Sequence, residues 1–141
     1  MKGDVTINNK DAFESYGINL EDGAISTLMT PASMKEYIET NSRVRHGKTV
    51  LTKLARYDSR EITLPFHLIA RNKTEFFAMY NLFCEEVLAK GKFELQTKYQ
   101  PGVVYRLVYL SCTQFSQYNQ QMAVFSLKVE EPDPTDRSVK E

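Results

Sequence analysis

The stretch that decides the fold spans residues 61–91, where a strand pattern is followed by a helix pattern. Residues 61–69 read EITLPFHLI, and every second residue from Ile62 to Leu68 is a large apolar one. A period of two is typical of a strand with one buried face. Pro65 lacks a backbone N–H, so we expect this strand to lie at a sheet edge or to carry a bulge.

Residues 74–90 read TEFFAMYNLFCEEVLAK and predict one long helix. Large apolar side chains recur on one helical face: Phe76, Tyr80, Phe83 and Val87. Thr74 is the expected N-cap, with Asn72 as the alternative. Gly91 follows at the position where a left-handed residue ends a helix.

Further strand patterns lie on both sides of this helix. After it, we predict strands over residues 93–97, 103–111 and 122–130, and the middle one, apolar on both faces, is expected to be central. Before it, short strands are predicted over residues 5–7 and 24–29, and an extended segment over 35–40. Residues 41–60 favour a long loop or a protruding hairpin. This order predicts a mostly-β α+β fold, an antiparallel sandwich or partly closed barrel with one flanking helix.

Composition is that of an ordinary globular protein. The chain has 141 residues, of which 42% are hydrophobic and 26% charged, which excludes collagen-like, coiled-coil and disordered classes. Eighteen basic residues balance eighteen acidic ones. A net charge of zero argues against a protein whose main task is to bind bulk nucleic acid or an anionic membrane.

The charges are nevertheless segregated along the chain. Residues 11–40 hold six acidic residues and one basic residue, a net of −5, whereas residues 41–60 hold six basic and one acidic, a net of +5. Residues 130–141 add five acidic and two basic residues, a net of −3. Oppositely charged patches on one subunit suit head-to-tail contacts, which can close into rings.

No pattern points to secretion or to a membrane span. The first ten residues are polar, and no apolar run reaches the roughly 18–20 residues that a membrane helix needs. Two cysteines, Cys84 and Cys112, do not make a disulfide framework. We expect both to be free buried thiols in a protein that folds in the cytoplasm.

The search for catalytic chemistry yields no enzyme. Residues 45–49 read RHGKT and end like a phosphate-binding loop, but Ser42 stands where the first glycine of that motif is required. His46 and His67 lie in no metal-ligand spacing, and nothing in the sequence joins either to Cys84 as a nucleophile pair. We therefore expect no catalytic residue, no metal and no cofactor.

The ordered pattern of motifs resembles the N-terminal domain of phage distal tail proteins. Its residues are the FESYGINL run at 13–20, then Pro31, then the basic segment at 43–49 with His46 and Gly47. The strand at 60–69, the helix at 74–91 and the strands at 93–97, 105–112 and 123–132 follow in the family's order.

This resemblance implies a tail-tube-like domain over residues 1–132, with a long basic loop at 41–60 and a frayed charged tail at 133–141. It implies a structural, non-enzymatic protein that forms a ring, a hexamer in the family, linking the tail tube to the baseplate or tip. The loop would reach a neighbouring subunit. The expected interface residues are Arg43, Arg45, His46, Lys48, Lys53 and Arg56.

Its partners would be further copies of itself and other phage tail proteins, without direct nucleic-acid recognition. It would occupy the bacterial cytoplasm during assembly and then the virion tail. The alternative from another class of protein is a β-barrel module that binds a small ligand or a glycan.

Overall fold

A computed structural model describes residues 3–35, 38–40, 49–51 and 56–139. Within these residues, two short helices are interspersed among the strands that precede the long helix. The strands are β1 (Val5–Ile7), β2 (Lys10–Asp11), β3 (Ile18–Leu20), β4 (Ile38–Thr40), β5 (Thr49–Leu51), β6 (Arg60–Ile69), β7 (Lys92–Thr97), β8 (Tyr105–Asn119) and β9 (Met122–Glu131). The helices are α1 (Ala12–Tyr16), α2 (Ala24–Met29) and α3 (Lys73–Phe83), and α3 continues into a π-helical turn, Cys84–Leu88.

Seven strands form one antiparallel sheet in the order β2-β1-β7-β8-β9-β6-β3, and β4 and β5 pair separately. The edge strand β3 comes close to β1, the second strand from the other edge of the large sheet: the Asn19 amide on β3 donates to the Asp4 carboxylate beside β1 at 3.3 Å. Ile7 of β1 and Ile18 of β3 are both fully buried in the same core. The fold is therefore mostly β and antiparallel, as the sequence predicts, and is consistent with the sandwich named in that prediction.

β6 and β9 are neighbours in the sheet, and they pair without a register break from Arg60↔Glu131 to Ile69↔Met122. Buried residues alternate with exposed or half-buried ones along β6 and with half-buried ones along β9. The prediction of an edge or a bulge at Pro65 is wrong, since β6 lies between β9 and β3. The carbonyl of Pro65 accepts from the N–H of Glu21, on the β3 side, so the missing N–H also faces that side and the β6–β9 ladder loses no hydrogen bond.

The long helix packs its predicted stripe onto the sheet. Phe76, Phe83 and Val87 are buried, and the Phe83 ring lies 5.9 Å from that of Phe125 on β9. The helix begins one residue earlier than predicted, because the Asn72 side chain, the alternative cap, accepts from the N–H of Glu75 at 2.8 Å. Gly91 adopts φ 80°, the left-handed conformation expected of it.

Residues 24–29 form a helix, so the strand predicted there is wrong. Ala24 and Leu28, four residues apart, are the buried pair of α2. The guanidinium of Arg60 donates through Nη1 to the carbonyls of Thr27, Leu28 and Thr30, at 3.4, 2.8 and 2.7 Å. A cation at a helix C-terminus satisfies carbonyls that have no partner within the helix.

β8 is central as predicted, but it is longer than the predicted segment and continues to Asn119. Three irregularities interrupt its register with β9, and its residues from Leu110 onward are largely exposed. Cys112 lies in this part and is exposed, so the expectation of two buried thiols is wrong for Cys112; Cys84 is half-buried.

The segment after β9 lies against the start of β8. The N–H of Val104 donates to the carbonyl of Arg137 at 2.8 Å, and Arg106 donates to the carbonyl of Ser138 at 2.8 Å. Arg137 also pairs with the buried carboxylate of Glu131. Arg106 and Arg137 thus hold part of residues 133–139 by contacts that the pattern of charges did not suggest, and the frayed tail over 133–141 stays a prediction.

Candidate assembly surfaces

Five of the six predicted interface residues lie outside the described residues: Arg43, Arg45, His46, Lys48 and Lys53. The sixth, Arg56, is exposed, and its carbonyl accepts a hydrogen bond from the N–H of Lys35 at 2.8 Å. The interface assignment therefore stays a prediction, and the described residues define where the basic segment leaves the domain and where it returns.

The basic segment is clamped at its base by antiparallel contacts. Met34 pairs with Tyr57, and the N–H of Asp58 donates to the carbonyl of Ser33 at 2.8 Å. Further along, β4 pairs with β5 in the register Ile38↔Leu51 to Thr40↔Thr49. We call residues 34–57 the arm. The two ends of the arm pair with each other at Met34 and Tyr57, and its two halves pair again at β4 and β5.

Apolar side chains at the base of the arm are open to solvent. Met34 is 39% exposed and Tyr57 is 47% exposed, although the two residues pair across the base. Met29, at the end of α2, is 56% exposed. Large exposed apolar side chains beside a charged segment are typical of a surface that contacts another protein.

A buried ionic cluster fixes the domain next to this base. Glu131 is fully buried, and its carboxylate accepts from Arg60 Nε at 3.0 Å and from Arg137 Nε at 2.8 Å. The ring of Tyr105 lies under both guanidinium groups, 5.7 Å from that of Arg60 and 4.9 Å from that of Arg137. Arg60 follows the arm by three residues and also holds the end of α2. The cluster therefore joins α2, β6, β9 and the C-terminal segment where the arm begins.

A second candidate surface lies at the far end of β8. β7 pairs with β8 only from Leu95↔Tyr105 to Lys92↔Val108, while β9 accompanies β8 to Asn119. Among the described residues, no strand pairs with the other side of residues 110–119. Leu110, Phe115 and Tyr118 are exposed by 42%, 45% and 68%. Bulges and irregular register are a usual way to keep such an edge from unspecific pairing.

The residues considered for catalysis lie in separate places. His67 Nδ1 lies 3.5 Å from Glu21 Oε1 in an open groove that Asn19 also lines. Cys84 lines a different groove with Tyr80 and Phe115. The structure therefore does not bring Cys84 and His67 together as a nucleophile pair. Within the described ranges, no group of three or more His, Cys, Asp or Glu side chains is placed to hold a metal ion.

A hydrogen bond between two ionisable side chains, Tyr16 and Glu86, links α1 to the π-helical turn that follows α3. The Tyr16 hydroxyl donates to Glu86 Oε2 at 2.7 Å, and Lys10 Nζ lies 3.7 Å from the same oxygen. The hydrogen bond from Tyr16, followed by the charge of Lys10, lowers the pKa of the Glu86 carboxyl. Burial, then the same hydrogen bond, raises the pKa of Tyr16. No helix in the described part of the chain has the length and apolarity to cross a bilayer.

Comparison with known proteins agrees with the family suggested by the motifs. The family model described as "Phage tail protein RIFT-related domain" matches residues 12–130. Among solved structures, the chain is similar to the Dit (gp 19.1) protein of phage SPP1, which is titled a paradigm of the hub adsorption apparatus in phages that infect Gram-positive bacteria. The TM-score is 0.63 at 10% sequence identity, over 93% of this chain and 50% of that one.

The chain thus spans half the length of SPP1 Dit. A comparison with curated protein sequences found no match. The family match covers most of the described domain, from α1 to β9, and the fold agrees with that of a distal tail protein. The resemblance to phage distal tail proteins is confirmed, and the chain belongs to the phage tail protein RIFT-related domain family.

Proposed function

We propose that this protein is a structural, non-enzymatic component of a phage or prophage tail that assembles into a ring, linking the tail tube to the baseplate or tip. Its working unit is the single domain over residues 1–132, and its partners are further copies of itself and other tail proteins. The ring is a hexamer by resemblance to distal tail proteins. The protein would assemble in the bacterial cytoplasm and then reside in the virion tail.

The observation that carries this proposal is the arm on a domain of the phage tail family. Its two ends are clamped by the Met34–Tyr57 pair and by the backbone bonds beside it. The arm carries most of the +5 segment of the chain. A basic arm held at its base is suited to reach a neighbouring subunit, with Arg43 and Arg45 as charged contacts.

The neighbour offers a complementary acidic surface in the segment before the arm. Glu14 on α1 and Asp22 in the turn before α2 are both exposed. Because the arm and the acidic segment belong to the same chain, each subunit presents one of each. A head-to-tail contact between them can repeat around a closed ring.

The experiment compares two double variants with the same change in net charge. Arg43→Glu with Arg45→Glu reverses charge in the arm. Lys73→Glu with Lys92→Glu is the matched control, since both lysines are exposed and lie outside the arm. Circular dichroism establishes that each variant folds, and light scattering after gel filtration gives the oligomer mass at low and high salt.

The arm variant is expected to be a folded monomer under conditions where the wild type and the control are oligomeric, and high salt should weaken the wild-type oligomer. An arm variant that assembles as well as the control would overturn the role of the arm. The alternative of a ligand-binding barrel is less well supported, because the core of the sheet is filled by large side chains, including Phe66, Phe76 and Phe83.

A further inference from the structure

Both cysteines of the chain line one shallow groove between the long helix and β8. The groove has a volume of about 310 Å³ and is lined mainly by apolar and aromatic side chains. Cys84 and Cys112 both line it, together with Tyr80 and Phe115. The chain contains no other cysteine.

The register of the strands explains why Cys112 faces the helix. Cys112 pairs with Leu127 and Phe115 pairs with Phe125, and both partners on β9 are buried. Residues directly opposite each other on neighbouring strands point to the same face of the sheet. The side chains of Cys112 and Phe115 therefore point to the face of the sheet on which the long helix packs, although both remain partly exposed there.

The helix presents Cys84 to the same strand. The Tyr80 ring lies 5.7 Å from the Phe115 ring, which fixes the helix against β8 at this point. Cys84 is one helical turn beyond Tyr80, and residues four apart lie on the same side of a helix. Tyr80 and Cys84 on the helix thus run alongside Phe115 and Cys112 on β8.

The electrostatics of the groove agree with this placement. The pKa of Tyr80 is raised first by a hydrogen bond with Cys84, then by burial, and further by electrostatic interaction with Cys84 and Cys112. The pKa of Tyr109, which also lines the groove, is raised by burial and then by the same two cysteines. Both Tyr80 and Tyr109 therefore interact electrostatically with both cysteines.

We propose that Cys84 and Cys112 are a redox pair that closes into an intramolecular disulfide, joining the π-helical turn to β8. Cys112 lies between two of the irregularities of β8, which allows the strand to adjust to the geometry that a disulfide requires. Its thiol donates to the carbonyl of Gln114 at 3.3 Å and is exposed, whereas Cys84 is half-buried. Cys112 is the thiol that reacts first, and Cys84 is the one that resolves.

With a small disulfide such as oxidised glutathione as the oxidant, the chemistry balances in two steps. The Cys112 thiolate attacks one sulfur of glutathione disulfide, which forms a mixed disulfide and releases one glutathione thiolate. The Cys84 thiolate then attacks the Cys112 sulfur and releases the second glutathione. The protein loses two protons and two electrons, and the oxidant becomes two glutathione thiols.

The surroundings in which this happens follow from the proposed function. Disulfides are rare in the cytoplasm and persist outside the cell. A tail component leaves the reducing cytoplasm with the virion, so the pair would be open during assembly and closed after release. This timing depends on the proposed function, whereas the disulfide itself does not.

The test incubates the purified full chain with oxidised glutathione and follows it by intact mass, thiol titration and non-reducing electrophoresis. The expected product is a monomer that has lost two hydrogen atoms and both titratable thiols, with a Cys84–Cys112 cross-linked peptide after digestion. Retention of both thiols, a stable glutathione adduct on the wild type, or a covalent dimer would each overturn the proposal.

Two single variants test the order of the steps. In Cys84→Ser the mixed disulfide on Cys112 should accumulate, since the resolving thiol is gone. In Cys112→Ser, glutathione should modify the half-buried Cys84 at least about tenfold more slowly than it modifies Cys112 in Cys84→Ser. Equal rates of modification in the two variants would overturn the assignment of Cys112 as the first thiol. Because these readouts use the isolated protein, they are independent of whether a ring forms.

Discussion

Replacing Glu131 with glutamine removes one charge from the centre of the ionic cluster beside the arm and leaves the shape of the side chain nearly unchanged. Glu131 is fully buried; its carboxylate accepts hydrogen bonds of 2.7–3.0 Å from Arg60 Nε and from Arg137, and it lies 2.9 Å from Arg60 Nη2 as an ion pair. Arg60 is only 6% exposed, so water cannot replace the lost carboxylate. Removing one partner of a buried ion pair costs about 3–5 kcal/mol, and we expect Glu131→Gln to lower the free energy of unfolding by that amount.

The matched comparison is Arg137→Ala. The Arg137 side chain is 29% exposed, and its removal leaves Glu131 still paired with Arg60. We therefore expect a smaller loss, about 1–2 kcal/mol. Urea unfolding followed by circular dichroism gives both values, provided that the slope with denaturant stays the same. If Glu131→Gln cost less than about 1 kcal/mol, or no more than Arg137→Ala, the cluster would not hold the domain together as argued.

Three further predictions concern single positions. Gly17→Ala should lower the free energy of unfolding by about 2–5 kcal/mol in urea melts, because φ is 69° and an added Cβ would lie 2.6 Å from the carbonyl oxygen of Ile69; a loss below about 1 kcal/mol would contradict this. Asn72→Ala removes the N-cap of the long helix and should cost about 0.5–2 kcal/mol by the same assay, whereas an unchanged midpoint would count against the cap. For Glu86, the hydrogen bond from Tyr16 lowers the pKa of the carboxyl in the folded state, so the stabilisation by its charged form is complete above the unfolded pKa near 4.5 and is lost as the pH falls through the folded pKa. The difference in stability between wild type and Glu86→Gln should therefore shrink between about pH 6 and pH 3 in thermal melts. A difference that grows on acidification would refute this pH dependence.

The elements that could be predicted from sequence are those whose burial follows a regular period. Along β6, buried residues alternate with exposed or half-buried ones over the whole strand, and the long helix buries its stripe at a helical period. In both, local preference and burial point to the same structure. Their order along the chain also supported the resemblance to distal tail proteins, which the family match confirms.

The elements that sequence reasoning missed depend on contacts between distant residues. Residues 24–29 form a helix whose terminal carbonyls are satisfied by Arg60, thirty or more positions away in sequence. The outer half of β8 is mostly polar and follows its partner β9 through three register irregularities, which a simple period cannot represent. α1 is only five residues long, and its Asp11 cap gave too short a signal.

For the candidate surfaces, the distribution of charge could be predicted from the sequence, whereas the contacts that hold the basic segment at the domain are visible only in the structure. Segregated charge identified the basic segment, but not the clamp between Met34 and Tyr57 that defines the arm. Cys84 and Cys112 line the same groove because of the way β8 pairs with β9, so the spacing of the two cysteines in the sequence could not identify them as partners.

The central claim is that copies of this chain close into a ring. Electron microscopy of concentrated wild-type protein in low salt tests it most directly, with the Arg43→Glu and Arg45→Glu double variant imaged beside it. The account predicts closed rings of uniform subunit number for the wild type, six by resemblance, and isolated particles for the variant. Wild-type protein that stays monomeric at near-millimolar concentration in both low and high salt, or that forms open filaments, would contradict the account.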